Sequence, residues 1–180
     1  MKNIRSLGYL VIVATLLSSL LAPRSFADNS LTDAEASDGW ALLFNGQDMD
    51  QWRNFKTPNL SDKWVFENGV MTLTGPGGGD IPTKKSYKNF DLRLEWQISE
   101  AGNSGIFILV DEEGDKIYSH APEIQILDNE KHSDKKIDSH RSGSLYDMMA
   151  SHPSSHKPAG EWTQVRIVFQ DRFLQVWQNG

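Results

Sequence analysis

The sequence predicts an all-β domain, a β-sandwich or jelly roll, rather than a parallel α/β fold. No segment of helical length repeats apolar residues with the period of an amphipathic helix. Short runs of alternating apolar and polar residues recur instead, separated by Gly, Pro, Asn and Asp. Because such strands each bury one face, the pattern indicates antiparallel sheets packed against each other.

The N-terminal segment, residues 1–27, is predicted to be a signal peptide. Lys2 and Arg5 give it a positive start, residues 7–21 are largely apolar, and Ser25-Phe26-Ala27 has the small residues of a cleavage site. An uncleaved membrane anchor is the less favoured alternative, because a span needs about 20 apolar residues. We therefore expect cleavage after Ala27, a periplasmic or secreted location, and no membrane association of the mature protein.

The exported part is predicted to be a single domain. Residues 28–38 are small and acidic without an apolar period, and we expect them to form a mobile leader. Residues 39–180 then form the domain. The chain has no Cys but has six Trp and eight Phe, so a buried core rather than disulfides must stabilise it. A formal charge of -6 without a basic cluster argues against nucleic acid and anionic membranes as partners.

Eight strands are predicted in order along the domain. The runs span residues 40–44, 64–67, 70–73, 90–98, 105–110, 123–127, 162–170 and 173–178. Asn68-Gly69 joins the second and third strands, and this dipeptide predicts a two-residue hairpin turn. Asn179-Gly180 predicts another such turn after the last strand, with no returning strand in the sequence. We therefore expect the chain to be a C-terminally truncated piece of a longer domain.

Two of the strands carry carboxylate and amide side chains on one face. Even-numbered positions are apolar in 92–98 and at 124 and 126, which places Glu95, Gln97, Glu123 and Gln125 on the other faces. An ordinary solvated face carries mixed Lys, Thr and Ser, whereas the pattern Glu-x-Gln occurs here twice. We expect these four side chains to share one polar cleft that binds a ligand.

Several further motifs follow one another in the domain. They are LFNGQD at 43–48 with Trp52, WVFENG at 64–69, NSGI at 103–106, EIQILD at 123–128, GSLY at 143–146, GEW at 160–162 and QNG at 178–180. Together they resemble the 3-keto-disaccharide hydrolase family, of the 3-keto-glucoside 1,2-lyase and glucal hydratase type. The resemblance implies a concanavalin-like jelly roll, an exported role in sugar breakdown, and glycosides already oxidised at C3 as substrates.

Such substrates favour cleavage by elimination. A ketone at C3 acidifies the hydrogen at C2, so a base can remove it to give an enolate, which expels the group at C1. Hydration of the resulting glycal completes a net hydrolysis. The site needs a base that titrates near neutrality, an acid for the leaving oxygen, and a donor or cation at the developing enolate.

Four residues are the catalytic candidates. Glu123 is the preferred base, because partial burial of a carboxylate beside an apolar strand face raises its pKa, although a solvated sheet carboxylate is the alternative. Tyr146 is a candidate acid or enolate donor, or else a tyrosine that packs at a corner. His132, with His140, is an alternative base, because imidazole titrates near neutral pH.

Other polar residues are candidates for binding. The predicted substrate-binding residues are Glu95, Gln97, Gln125, Asn103 and Arg141. A divalent metal ion is the one cofactor suggested, held by His132 with Asp128 or Asp134, where it would stabilise the enolate. The alternatives are structural hydrogen bonds for the amides and carboxylates, a loop-starting Asp128, and solvated loop histidines.

Two other classes of function are compatible with the sequence. A laminarinase-type retaining glycoside hydrolase uses Glu-x-Asp-x-x-Glu on a jelly roll. Gln97 and Gln125 replace the central Asp in both comparable stretches, and this argues against that mechanism. A non-catalytic carbohydrate-binding module is the second alternative, because a jelly roll with a polar face binds sugars without any chemistry.

Overall fold

The computed structural model describes residues 29–180. The predicted signal peptide of residues 1–27 and its cleavage site lie outside the described residues. Within 29–180, no helix has the length and apolar character that a membrane crossing requires.

Strands dominate the described chain. Within residues 29–180 the single α-helix is α1 (Asp33–Ser37), and the strands are β1 (Trp64–Glu67), β2 (Val70–Leu73), β3 (Phe90–Trp96), β4 (Asn103–Phe107), β5 (Glu123–Leu127), β6 (Thr163–Gln170) and β7 (Phe173–Gln178). Short 3-10 turns lie at Ile117–Ser119, Ser133–Lys136 and Asp138–His140. The predicted all-β class is therefore confirmed.

In the described part of the chain, all the strand pairs are antiparallel and form three small sheets. β1 pairs with β2, β4 pairs with β5, and β6 lies between β3 and β7. In the β1–β2 hairpin, Asn68 and Gly69 have φ values of 52° and 74°. Positive φ at both central residues is what a type I′ turn requires, so the predicted Asn-Gly hairpin is confirmed.

The core lies between the three-stranded sheet and the β4–β5 pair. Its buried members come from both sides and are Trp96, Val165 and Ile167 on one sheet and Ile108, Ile124 and Ile126 on or beside the other. Leu92, Leu94 and Ile98 pack against them. Each sheet thus buries one face, as the period-two alternation predicted, and leaves an outer face that points away from the other sheet.

The prediction of a strand at 40–44 is wrong. This segment belongs to no sheet, because side chains rather than a neighbouring strand bind its backbone. The Trp52 indole donates to the Leu43 carbonyl at 2.7 Å, and the Gln51 amide donates to the Leu42 carbonyl at 3.3 Å. The strand predicted at 105–110 instead begins at Asn103 and ends at Phe107.

The predicted leader contains a helix that its composition did not indicate. Thr32 caps α1 through a capping box with Glu35, in which each side chain binds the other residue's backbone amide. Asn29 donates to the Gly69 carbonyl at 2.7 Å, at the turn of the β1–β2 hairpin. The described part of this segment is therefore attached to the domain.

Candidate active site

A pocket of about 520 Å³ opens on the outer face of the β4–β5 pair. Its lining includes Asn103, Glu123, Gln125 and Tyr146, four of the predicted site residues, together with Tyr118, Ala121, Pro122, Asp147 and Met148. A volume of this size suits a small ligand such as one or two sugar rings. The four polar residues form one side of the pocket, while Tyr118 and Met148 add a more apolar rim.

Glu123 reaches the pocket through the alternation of β5. Ile124 turns into the core, so Glu123 and Gln125 turn outward, as predicted. The carboxylate lies directly over Gly105 on β4. A Cβ atom at Gly105 would lie 2.7 Å from Cδ and Cγ of Glu123, closer than real Cβ atoms approach their neighbours. The absence of a side chain at Gly105 therefore makes the space for the Glu123 carboxylate.

The surroundings of Glu123 oppose its negative charge. Burial raises the pKa of Glu123 to about 6, and the negative charge of Asp80 adds to the rise. The first cause is the partial burial expected from the sequence. Asp80 was not expected, because it lies in the glycine-rich segment after β2, far from Glu123 in sequence. A carboxylate with this pKa is divided between its acid and base forms near neutral pH, as a general base should be.

Tyr146 is brought beside Glu123 by main-chain pairing. The segment 143–146 runs along the free edge of β5, where the Gly143 amide donates to the Gln125 carbonyl at 2.8 Å. The Gln125 amide donates to the Ser144 carbonyl at 2.9 Å, and the Tyr146 amide donates to the Glu123 carbonyl at 2.9 Å. This segment acts as a third strand, so Tyr146 and Glu123 are neighbours by register.

The phenol of Tyr146 is held in its neutral form. Burial raises the pKa of Tyr146, and the negative charges of Asp134, Asp147 and Glu123 raise it further. The ring also stacks on His140, with centroids 4.2 Å apart and planes 19° apart. A protonated phenol beside a carboxylate base provides the acid and donor that an elimination needs.

Gln125 and Asn103 lie at different depths in the pocket. Gln125 is 1% exposed, and its side-chain oxygen accepts from the Ile126 amide at 3.1 Å. Asn103 is exposed at the start of β4. Gln125 therefore lies in the pocket floor, whereas the Asn103 side chain is accessible at the pocket edge.

The predicted juxtaposition of Glu95 and Gln97 with Glu123 is wrong. β3 belongs to the three-stranded sheet, and its core-facing residues meet those of β5 across the core. The outer faces of the two sheets point in opposite directions. Gln164 donates to Glu95 at 2.9 Å, and Gln97 donates to the Gly160 carbonyl at 2.7 Å. Both residues thus make structural hydrogen bonds away from the pocket.

The predicted metal ligands do not form a ligand set. Burial alone would raise the pKa of Asp128, but hydrogen bonds from the backbone amides of Ala101, Glu130 and Lys131 outweigh it and lower the pKa. His132 Nδ1 accepts from the Asp134 amide at 3.2 Å. Among residues 29–180, no group of three or more His, Cys, Asp or Glu is placed to hold a metal ion. The residues present do not fit the proposed ion.

Arg141 and His132 also lie outside the pocket lining. The Arg141 guanidinium donates to the Lys135 carbonyl at 2.8 Å and pairs with Asp138 at 3.1 Å. The substrate-binding role predicted for Arg141 and the base role predicted for His132 therefore lack support from geometry. Both lie in a loop, where sequence alone does not indicate which way a side chain turns.

Several pocket residues were missed. Tyr118, Met148 and Asp147 line the pocket, and Asp80 acts on Glu123 by its charge. Asp147 adjoins Tyr146 in sequence, so proximity to that candidate was a usable signal. The others come from connecting segments whose positions depend on tertiary structure, and no local pattern identifies them.

Comparison with known proteins agrees with the fold. Residues 39–180 match the family described as the 3-keto-alpha-glucoside-1,2-lyase-like domain. A 3-keto-disaccharide hydrolase of Bacteroides thetaiotaomicron is 37% identical over 164 residues, which cover 79% of this chain and 57% of the relative. The chain thus spans a little over half the length of that relative.

Solved structures support the same assignment. A proposed glycosyl hydrolase of Parabacteroides distasonis is 31% identical, with a TM-score of 0.78 over 84% of this chain and 73% of that protein. A second such protein of the same organism is 24% identical, with a TM-score of 0.59 over 72% of this chain and 68% of its own, and shows the fold alone. The predicted jelly-roll sandwich and the predicted resemblance are confirmed: the chain belongs to the 3-keto-alpha-glucoside-1,2-lyase-like family.

Proposed function

We propose that this domain cleaves glycosides that carry a ketone at C3, with Glu123 as the base that removes the proton from C2. The observation that carries the proposal is the half-buried Glu123 carboxylate in the pocket, with its pKa raised to about 6. Family membership and the 3-keto-disaccharide hydrolase among the relatives support the same substrate class.

The proposed reaction is an elimination followed by hydration. Glu123 takes the C2 proton, and the electron pair of the C–H bond forms an enolate with the C3 carbonyl. The enolate then collapses, the C1–C2 double bond forms, and the bond from C1 to the leaving oxygen breaks. The leaving oxygen takes up a proton and departs as an alcohol. Addition of water across C1 and C2 gives the free 3-keto sugar.

Tyr146 is proposed as the proton donor in this sequence. Its pKa is raised, so the phenol keeps its proton at neutral pH. Main-chain pairing with β5 fixes it beside Glu123, which is the relation that a base and an acid need when they act on adjacent atoms. The phenol can donate to the developing enolate or to the leaving oxygen.

The uneven lining of the pocket suggests how the substrate lies. Glu123, Gln125 and Tyr146 form a polar side that matches the oxidised ring, whose hydroxyl and carbonyl groups need hydrogen-bond partners. Tyr118 and Met148 are 64% and 66% exposed at the rim. Exposed aromatic and apolar side chains pack on the apolar face of a second ring, so we place the leaving group there.

A retaining mechanism that uses the carboxylates of a laminarinase-type motif is less well supported. It needs a second carboxylate about 5 Å from the first. Two residues after Glu123, β5 carries the amide Gln125 and not a carboxylate. The Asp128 carboxylate accepts hydrogen bonds from the Ala101 and Glu130 backbone amides. In the other Glu-x-Gln stretch, Glu95 lies on the opposite sheet.

The test compares p-nitrophenyl glucosides with and without the C3 ketone, as both anomers. Wild-type protein is expected to consume only the oxidised substrates and, in D2O, to exchange the C2 hydrogen. Glu123→Gln is expected to lower kcat by roughly 10²–10⁴-fold, because the base is lost, while binding measured by calorimetry persists. Glu67→Gln is the matched control, because Glu67 is an exposed strand glutamate on β1.

Three outcomes would contradict the proposal. Equal turnover of the unoxidised glucosides would indicate a conventional glycoside hydrolase. Binding of both sugars without consumption would indicate a carbohydrate-binding module. Full activity of Glu123→Gln would remove Glu123 from the catalytic role.

Export is a separate proposal. We propose cleavage after Ala27, which N-terminal sequencing of protein recovered from the periplasm or medium tests directly. Assays with and without a chelator test the suggested divalent ion. No step proposed for Glu123 or Tyr146 passes through a metal.

A further inference from the structure

A buried histidine lies directly behind the pocket. His140 closes the 3-10 turn Asp138–His140, and its side chain is 10% exposed. It does not line the pocket, but its ring stacks on Tyr146, which does. Loop histidines are usually solvated, so burial of this one against a pocket residue calls for an explanation.

One aspartate binds the His140 ring, and a second lies near it. Its Nε2 lies 2.7 Å from Oδ1 of Asp147, which is hydrogen-bond distance. Its Nδ1 lies 4.0 Å from Oδ2 of Asp134 and has no hydrogen-bond partner within the described structure. The negative charge of Asp134 also acts on Tyr146. Imidazole and phenol are thus parallel rings with the two aspartates beside both.

This arrangement leaves His140 no direct route to the substrate. The Nε2 atom is engaged by Asp147, and one ring face is covered by Tyr146. A base must reach the proton that it removes, and His140 lies outside the pocket lining. Its effect on chemistry must therefore pass through the pocket residues that it contacts, Tyr146 and Asp147.

We propose that His140 is a positioning residue for Tyr146, fixing the phenol ring by stacking and so aiming its hydroxyl into the pocket. The inference rests on the proposed role of Tyr146. A tyrosine on a connecting segment rotates about two side-chain bonds, and the flat contact with His140 restricts both. Misplacement of a catalytic group by about 1 Å can cost roughly 10²-fold in rate, so such a restraint has a measurable effect.

The kinetic test is a double-mutant cycle. His140→Ala removes the stack and the hydrogen bond, whereas His140→Phe keeps a flat ring and loses only the hydrogen bond. We expect His140→Ala to lower kcat by roughly 10–100-fold with KM within about twofold, and His140→Phe to recover most of the loss. In a Tyr146→Phe background, His140→Ala should change kcat by less than about twofold.

A spectroscopic test does not depend on activity. Protein labelled with 3-fluorotyrosine should give a ¹⁹F resonance for Tyr146, assigned by its loss in Tyr146→Phe. We expect this resonance to move or broaden in His140→Ala and to stay close to the wild-type position in His140→Phe. His152→Phe is the control, because His152 is exposed on a loop and should change neither the resonance nor kcat.

The outcomes separate this inference from the proposed function. Equal losses of kcat in both Tyr146 backgrounds, or an unmoved resonance in a folded His140→Ala, would overturn the positioning role. Thermal melts establish that each variant is folded. If wild-type protein fails to cleave 3-keto glucosides while the resonance still responds to His140→Ala, the proposed function fails and the positioning of Tyr146 stands.

Discussion

At the scale of single residues, the pocket contains two titratable groups held in unusual environments. Burial and the charge of Asp80 raise the pKa of Glu123. Burial and the charges of three carboxylates raise the pKa of Tyr146. The two effects act in the same direction but on groups with very different ordinary pKa values. Near neutral pH, a base and an acid therefore coexist on adjacent segments.

Replacement of Asp80 should move the pH dependence of activity. Asp80→Asn removes a negative charge near Glu123, so the pKa of Glu123 falls from about 6. The acidic limb of kcat/KM against pH should shift to lower pH. It should not reach the ordinary value for glutamate, because burial is the larger cause and is unchanged. Asp62→Asn, at an exposed site, is the control. An unmoved limb in Asp80→Asn would contradict the prediction.

The same carboxylate should reduce stability at high pH. The folded-state pKa of Glu123 is about 6 and its ordinary value is 4.5, so ionisation is harder in the folded protein. The free-energy cost of this ionisation to the folded state is absent at pH values below 4.5 and complete at pH values above about 6. Glu123→Gln cannot ionise, and we expect it to raise Tm near pH 8 but not near pH 4.5. Melting curves of both proteins at the two pH values test this. A Tm of Glu123→Gln below that of the wild type near pH 8 would contradict it.

Side-chain orientation could be predicted where strand alternation constrains it. Glu123 and Gln125 could be placed on a polar face because their neighbours Ile124 and Ile126 are apolar. Arg141 and His132 lie in connecting segments, where no period constrains orientation. They were predicted from residue type alone. Their side chains are directed away from the pocket by tertiary contacts.

At the scale of elements, β4 and β5 form the site together. Gly105 on β4 has no side chain at the place where Glu123 on β5 puts its carboxylate. We expect Gly105→Ala to displace Glu123, since the added Cβ would collide with its flexible end rather than with backbone. The predicted result is a loss of roughly 10²-fold in kcat with little change in Tm. Gly75→Ala is the matched control, because a Cβ there meets no atom within 4 Å. Unchanged kcat in folded Gly105→Ala would contradict the prediction.

Most elements were predictable, and the failures have a common cause. β1, β2, β5 and β7 have the predicted bounds, because alternation and turn residues mark both ends. Residues 40–44 also contain strand-forming residues, but their carbonyls accept hydrogen bonds from Gln51 and Trp52 side chains. Local sequence cannot show that a nearby side chain will replace a neighbouring strand.

At the scale of the whole molecule, the outer faces of the two sheets carry different features. The pocket opens on the β4–β5 side. On the other side, Arg93 stacks over Trp40 at 4.0 Å, Arg166 lies over Trp177 at 5.2 Å, and Arg166 pairs with Asp91 at 2.7 Å. Alternation indicates which face of its own sheet a residue occupies but not which sheet it joins. For that reason Glu95 was assigned to the wrong side.

The sandwich should depend on the centre of the three-stranded sheet. Ile167 on β6 is 0% exposed and belongs to the core that joins the two sheets. We expect Ile167→Ala to lower the free energy of unfolding by roughly 2–5 kcal/mol, because it leaves a cavity that the sheets cannot close. Urea unfolding measures this. Ile137→Ala, at a 50% exposed position, should cost far less. Similar losses in both variants would contradict a shared core.

The outer face of the three-stranded sheet has a practical use. The chain contains no Cys, so one introduced thiol would be its single site for thiol chemistry. Gln175 on β7 is exposed and lies on the side away from the pocket. A fluorophore or a solid support attached there would leave the pocket mouth open, which allows the protein to be immobilised for flow assays without occluding its ligand.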